Sequence, residues 1–587
     1  MKKESKNMNM DELKKAEAHE NQKKSKQKHW NRIEVSLKLD AYTKSKKKSI
    51  SQRQSAEKIE IPRSTLQHWL SRKASIDAEE DVIEFFESPA GVKFLHRFVV
   101  AAHFVITLVG SSGIRLVCLL IELLHLDRFI AGSYGSQHGI SVILEKATVE
   151  YGQKEKNRLS KTMESKKITI VQDETFHPET CLVAIEPVSN FILLEKYSSG
   201  RKAKDWTSAM EHAISSMPVE VIQSTSDEGK GICSHVKNDL GAHHSPDVFH
   251  VQSEITKATS AILQSKKRQA EKELEKATAE VNRHRLGKIN YANKHGPGRP
   301  PDFDKRISKA LNHEHKTKKQ LETRITHIDR AGGAMRKISE VYHPYDIETG
   351  SPKTPEEISS SLNSIFCEID TIATEAQLPK RCTKRIDKAR RVVTDMIATI
   401  AFYFFVVRRK IQSLSLSPEI EYAVYHHLIP GIYLSLVSKK TQLAENRTKL
   451  LEKSKELLAP LSAQDSPFSK LNKDEISLIK KVALDCAYIF QRSSSCVEGR
   501  NGLLSLRHHS LHRISDRKLK ALTVVHNYFI KRVDGTTAAE RFFDFQPADL
   551  FEWLLKQVPL PGRPAKRRSK PRKYSDPLQA LCGETMA

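Results

Sequence analysis

Apolar and polar positions follow two different rhythms along this chain, and the change of rhythm marks its parts. From Trp30 to Lys73 apolar residues recur at helical spacing in short runs. NRIEVSLKLDAY predicts a first helix, and SISQRQSAEKIEIPRSTLQHWLSRK predicts a helix, a tight turn and a second helix. Pro62 opens that second helix, where its missing N–H costs little. Ile50, Ala56, Ile59, Ile61, Leu66, Trp69 and Leu70 supply a small core, so 28–75 is expected to be a helix-turn-helix unit. The arm before it, 1–27, is basic and holds too little apolar surface to offset the entropy of ordering.

The strand rhythm begins at Lys166. Ile168-Thr169-Ile170-Val171 ends on Asp173, and Val219-Glu220-Val221-Ile222 ends on Asp227. Between them CLVAIEPVSNFILLEKYSSG reads as a hairpin turning at Ser189-Asn190, and AKDWTSAMEHAISSM as an amphipathic helix. A helix through GICSHVKNDLG and a last strand, PDVFHV, complete the order β-β-β-α-β-α-β. Two buried strands thus present two carboxylates at one sheet edge.

The helical rhythm returns between 252 and 473. KKRQAEKELEKATAEVNRHRL and KRISKALNHEHKTKKQLETRITHIDR flank the loop NKHGPGRPPD as arms of a long hairpin, and later apolar segments can pack this insertion into its own core. The expected fold is therefore multidomain and mainly α, with one α/β core. Its segments are the arm 1–27, the helix-turn-helix 28–75 and a helical connector 76–160, for which a second DNA-binding unit is the alternative. The first part of the core, 161–251, the insertion 252–473, the closing helices of the core, 474–555, and a basic tail, 556–587, follow.

Composition narrows the partners. The 587 residues carry a formal charge of +26, far beyond what solubility needs, which points to an anionic polymer, nucleic acid first. Eight cysteines include no CxxC pair, so neither a zinc ribbon nor a disulfide framework is expected, and a reducing compartment fits. The apolar stretches 98–126 and 392–407 are interrupted by His103, Arg115, Glu122 and His125 or by Asp395, so neither reads as a membrane span. The polar N-terminus shows no secretory pattern. A cytoplasmic, nucleoid-associated protein is the expectation.

A third carboxylate comes late. Glu498 stands in CVEGRNGLLSLRHH near the start of a predicted helix, where Ser495 and Glu498 also match a capping box. With Asp173 after the first strand and Asp227 after the fourth, this pattern resembles the DDE transposases of bacterial insertion sequences, whose RNase H-like core is in some members split by a helical insertion. The Glu-Gly-x-Asn run supports the likeness; the gap of 271 positions between Asp227 and Glu498 exceeds that of compact members. The resemblance implies that Asp173, Asp227 and Glu498 hold two Mg²⁺ ions, with Mn²⁺ as the alternative, Asp173 bridging both. Oxygen-only ligands suit such hard cations, and a pair about 4 Å apart suits phosphodiester chemistry. Glu174 is expected to face away from this site, because side chains alternate along a strand; Asp485 and Glu228 are weaker substitutes. His177 and His250 read as packed or surface residues.

DNA contacts are expected at three places. Arg63, Ser64, Thr65, Gln67 and His68 stand on the outward first turns of the second helix of the helix-turn-helix, with residue types that meet base edges and phosphates. Arg500, Asn501 and Arg507 follow Glu498, where they could hold substrate phosphates; an exposed basic helix is the plainer account. The tail PGRPAKRRSKPRK has seven basic residues in thirteen and no acid, and its Arg563, Arg567 and Arg568 resemble a minor-groove arm. The resemblance implies a transposase that cleaves and transfers strands of double-stranded DNA at element ends, acting at least as a dimer. A nuclease or resolvase that cuts without joining, or a DNA-binding descendant without catalysis, are the alternatives. No GxxxxGK[ST] loop suggests nucleotide hydrolysis.

Overall fold

The computed structural model of this chain describes residues 30–46, 50–176, 179–294, 299, 301–511 and 513–565. The arm 1–27 and the tail arginines Arg567 and Arg568 therefore lie outside the described residues, as does His177. The described chain is mostly helical with one small mixed sheet. It divides into two units, one of residues 1–155, 506–529 and 547–587, the other of 156–505 and 530–546. The segment expected to close the α/β core, 474–555, is thus shared between both units.

In the first unit three helices, α1 (Arg32–Lys46), α2 (Gln52–Lys58) and α3 (Arg63–Ala74), enclose a core of Leu39, Ala56, Ile61 and Leu66. Trp30, Ile59, Trp69 and Leu70 pack around it, and Trp30 meets Trp69 edge-on with ring centroids 6.2 Å apart. Ser51 caps α2 through a reciprocal pair of bonds with Gln54, and Glu60 turns the chain with a left-handed backbone. A longer helical stretch, Pro89–Val109, is the one span among the described residues long and apolar enough to cross a membrane, and half of its most apolar window is buried within the protein. Phe104 from this stretch packs on Phe529 and Phe551 of the same unit.

The second unit holds the sheet. Its strands are β1 (Lys166–Phe176), β2 (Thr180–Glu186), β3 (Phe191–Ser198), β4 (Val219–Ser226) and β5 (His243–Pro246), in the order β3-β2-β1-β4-β5. The first three pair antiparallel, and β1, β4 and β5 pair parallel. β1 is central and buried on both faces from Ile168 to Gln172, which is why its apolar run is unbroken by charge. Helix α4 (Ala203–Ile214) crosses between β3 and β4, burying Trp206. The hairpin turns at Asn190, which takes a positive φ of 64°.

The last strand departs from expectation. PDVFHV is not a strand: β5 is the preceding His243–Pro246, and Val248 already belongs to α5 (Val248–Lys294). Asp247 sits at the junction, where its Oδ1 accepts the Phe249 N–H at 2.8 Å as a helix-capping carboxylate does. The apolar positions that read as strand alternation are the buried Val248 and Val251, three apart on a helix.

Helix α5 and the antiparallel α6 (Phe303–Val341) form the long hairpin. Further helices, including Pro355–Glu375 and Val393–Gln412, bury Leu362, Phe366, Met396, Ile400 and Tyr403 in one core with the bases of the hairpin arms. The stretch 392–407 is thus the interior of this unit. Helix α7 (Lys473–Ile489) adds Ile479, Ala483 and Cys486 to the same core before the chain returns to the sheet and starts α8 (Ser495–Leu511).

Candidate functional site

The return from the insertion is fixed by the sheet itself. The Gln491 carbonyl accepts bonds from Thr225 Oγ1 at 3.1 Å, Ser245 Oγ at 3.2 Å and Gln223 Nε2 at 3.4 Å, all from β4 and β5. One residue on, the Arg492 carbonyl takes the Val248 N–H at 3.0 Å, so the first and last residues around the insertion are bonded to each other. Asp247 completes the clasp: its Oδ2 accepts the Ser494 N–H at 3.2 Å and the Ser494 hydroxyl. Ser494 in turn caps α8, its carbonyl accepting from Val497 and Glu498. Glu498 therefore enters one turn into the helix, and its Oε1 takes the Ser494 hydroxyl at 3.3 Å. That register puts Ser494, not Ser495, at the helix start.

Three residues further along the same helix, Asn501 donates from Nδ2 to Asp173 Oδ2 at 3.0 Å. The other Asp173 oxygen accepts the Glu174 backbone N–H at 2.8 Å. Glu174 itself bonds Trp206 Nε1 on α4 at 3.2 Å and pairs with Arg201, away from Asp173 as strand alternation requires. Asp227 leaves β4 into a tight turn and accepts the Gly229 N–H at 3.0 Å on Oδ1. A Cβ at Gly229 would lie 2.8 Å from that oxygen, so a side chain there would force the carboxylate aside.

These carboxylates feel one another. Burial pushes Asp173 up to about 6, and the charges of Asp227 and Glu498 push the same way against the Glu174 N–H and His250. Burial also raises Glu498, helped by the charge of Asp247 and opposed by the Ser494 hydroxyl and His250. Asp247, His250 and Glu498 bring ligand-capable atoms within 4.8 Å of one another, and His250 Nε2 lies 3.8 Å from Asp247 Oδ2. A cleft of about 240 Å³ opens beside them, lined by Asp227, Gly229, Asp247, His250, Glu254 and Lys388. A larger hollow of about 600 Å³ in the first unit, between Trp30, Trp69 and Pro559, has no such concentration of acids.

Sequence reasoning missed two members of this cluster. Asp247 was hidden because its segment alternates like a strand, although Asp before a helix is a capping signal. His250 belongs to the same first turn, three positions on, and stands within the cluster and not apart from it. Asp485 contributes no contact to the cluster among the described residues; its charge acts on Lys166 and Cys486. Glu228 borders the cleft.

Three of the expected DNA contacts are corrected. Arg500 is buried and bonds Glu195 of β3 through Nε and Nη2, both at 2.7 Å, so its guanidinium is turned into the protein and matched by a carboxylate. Arg507 is also buried and donates to the carbonyls of Leu108, Val109 and Gly110, where it satisfies the end of the Pro89–Val109 stretch. Arg563 pairs with the buried Glu87, which also takes Arg32 at 3.1 Å. A basic residue seen in sequence has no visible partner, and each of these finds its partner more than 300 positions away. On α3 the outcome differs: Arg63, Ser64, Gln67 and His68 are exposed and Thr65 is half-buried. Among the described residues, Cys118, Cys233, Cys367, Cys382, Cys486 and Cys496 form no disulfide.

No curated protein matches this chain. Residues 424–570, which include α7, α8 and Glu498, match the model of a family of unknown function, DUF6399.

Proposed function

We propose that this chain is a DNA transposase whose second unit cleaves and joins strands with divalent cations held by Asp173, Asp227 and Glu498. The observation that carries this reading is that Asp173 on β1 feels the charges of both Asp227, just after β4, and Glu498 on α8, which stand 271 positions apart in the chain, in a sheet ordered β3-β2-β1-β4-β5. That strand order, with β2 antiparallel to β1, is compatible with the RNase H-like core that the resemblance implies.

The donor set fits a hard cation. Asp173 is half-buried with an amide and one backbone N–H as its hydrogen-bond partners, so bringing a cation beside it would relieve the desolvation and repulsion that push it up. Asp173, Asp227 and Glu498 would hold Mg²⁺ or Mn²⁺, which when bound supplies charge stabilisation for phosphodiester chemistry. Asn501 orients the Asp173 carboxylate, and Asp247 orients Glu498 by clamping the start of α8. Asp247 already accepts three protein hydrogen bonds, which suits it to positioning more than to ligation.

In this reading α1 to α3 are a helix-turn-helix that recognises element ends, with Arg63, Ser64, Gln67 and His68 outward on α3, and synapsis of two ends makes the working form at least a dimer. The test is incubation of the purified protein with Mg²⁺ and DNA bearing the sequences that flank its gene. Joined products support transposition. Cuts without joining make it a nuclease, and binding alone makes it a regulator.

A further inference from the structure

A second cluster of ligand-capable side chains lies beside the Asp227 turn. Glu228 in the turn, Cys233 in the short helix after it and His244 on β5 place ligand atoms within 4.8 Å of one another. Cys233 Sγ stands 3.7 Å from His244 Nε2. In a tetrahedral site with bonds of about 2.3 Å to sulfur and about 2.0 Å to nitrogen, those two atoms are separated by roughly 3.6 Å. His244 is buried, and its Nδ1 has no hydrogen-bond partner while Nε2 meets the Ser226 hydroxyl at 3.0 Å. Nε2 is the atom that faces Cys233, so an ion bound there would take the place of the Ser226 contact. Glu228 is exposed and Cys233 half-buried, so the cluster is reachable from solvent.

We propose that Glu228, Cys233 and His244 bind a thiophilic divalent cation of the Zn²⁺ class, leaving one position open. Thiolate and imidazole donors select such an ion over Mg²⁺, which distinguishes this site from the carboxylates Asp173, Asp227 and Glu498. Its effect would be local bracing. Cys233 Sγ approaches the Asp227 carbonyl at 3.9 Å, and Ser226 Oγ bonds that carbonyl at 3.1 Å, so an ion here ties the end of β4, the Asp227 turn and β5 together. The inference stands whether or not the protein moves DNA, because it rests on these side chains alone.

Cobalt substitution tests it on the full-length protein after chelation and buffer exchange. Titration with Co²⁺ is expected to give a thiolate-to-metal charge-transfer band saturating at one equivalent, displaced by Zn²⁺ and indifferent to excess Mg²⁺. Cys233→Ser should abolish the band, Glu228→Gln should weaken Co²⁺ binding about 10-fold or more, and Asp173→Asn should leave the band intact. Absence of the band, or its persistence in Cys233→Ser, overturns the proposal. Should Cys233→Ser fail to fold by circular dichroism, Glu228→Gln decides alone, since that side chain is exposed: unchanged Co²⁺ affinity overturns it.

Discussion

Two acids in the same sheet, one buried and one half-buried, have opposite surroundings. Glu195 on β3 is closed off from water and answered by a bidentate guanidinium, both oxygens bonded at 2.7 Å. Asp173 on β1, two strands away, is held by an amide and a backbone N–H, with further carboxylates as neighbours, and is pushed up to about 6. A carboxylate whose charge is matched within the protein is complete. One whose charge is left unmatched costs the folded state stability and, under the proposed function, is where a cation would bind.

The largest expected effect comes from removing the unmatched charges. Asp173→Asn, Asp227→Asn or Glu498→Gln should each lower strand cleavage by about 10³-fold or more, the loss of several kcal/mol of charge stabilisation, while DNA retention in a mobility-shift assay stays near normal. Full cleavage by any one variant removes that residue from the site.

Breaking the matched pair should instead unfold the protein. Arg500→Ala strands Glu195 as a buried bare charge and should cost about 3–5 kcal/mol in urea denaturation, with the double variant Arg500→Met, Glu195→Leu recovering much of it. If Arg500 served phosphates, stability would hold and DNA affinity would fall.

A smaller effect separates the two acids by pH. A carboxyl raised in the folded state favours folding fully below its ordinary range, and this contribution is lost as pH rises through about 6. Chelated Asp173→Asn should therefore be more stable than the parent by about 1 kcal/mol at pH 7.5, the difference closing below pH 5. Thermal denaturation across that range checks it, and a constant difference would mean that Asp173 does not titrate there. The same proton competes with cations, so stabilisation by Mg²⁺ should fade as pH drops through about 6.

The smallest change belongs to the exposed α3. Arg63→Ala should weaken DNA binding about 3- to 10-fold and reduce the salt slope by about one, with cleavage of bound DNA unaltered. No change in the salt slope would take Arg63 out of the contact.

The sequence was most informative where side chains act locally. The apolar start of β1 could be read because Ile168 to Val171 are buried on both faces, although the strand runs on past Asp173 to Phe176 and β4 reaches Asp227 through the buried polar residues Gln223 to Ser226. The turn at Ser189-Asn190 could be read because Asn tolerates a left-handed backbone. Asp247 was obscured by helical contacts that imitate alternation over six residues. The fates of Arg500, Arg507 and Arg563 depend on Glu195, on carbonyls at 108–110 and on Glu87, which no local pattern reveals. What could be inferred at long range was Glu498, and only through resemblance.

The bond from Val248 to the Arg492 carbonyl turns the insertion into a loop closed at its neck. More than 240 residues leave and re-enter the sheet through one hydrogen-bonded gate, so the position of Glu498 depends on the gate and not on the length of chain beyond it. Closing a longer loop costs only about 0.6 kcal/mol per doubling. The insertion is thereby free to lengthen, shorten or change its surface while the start of α8 keeps its place against the sheet.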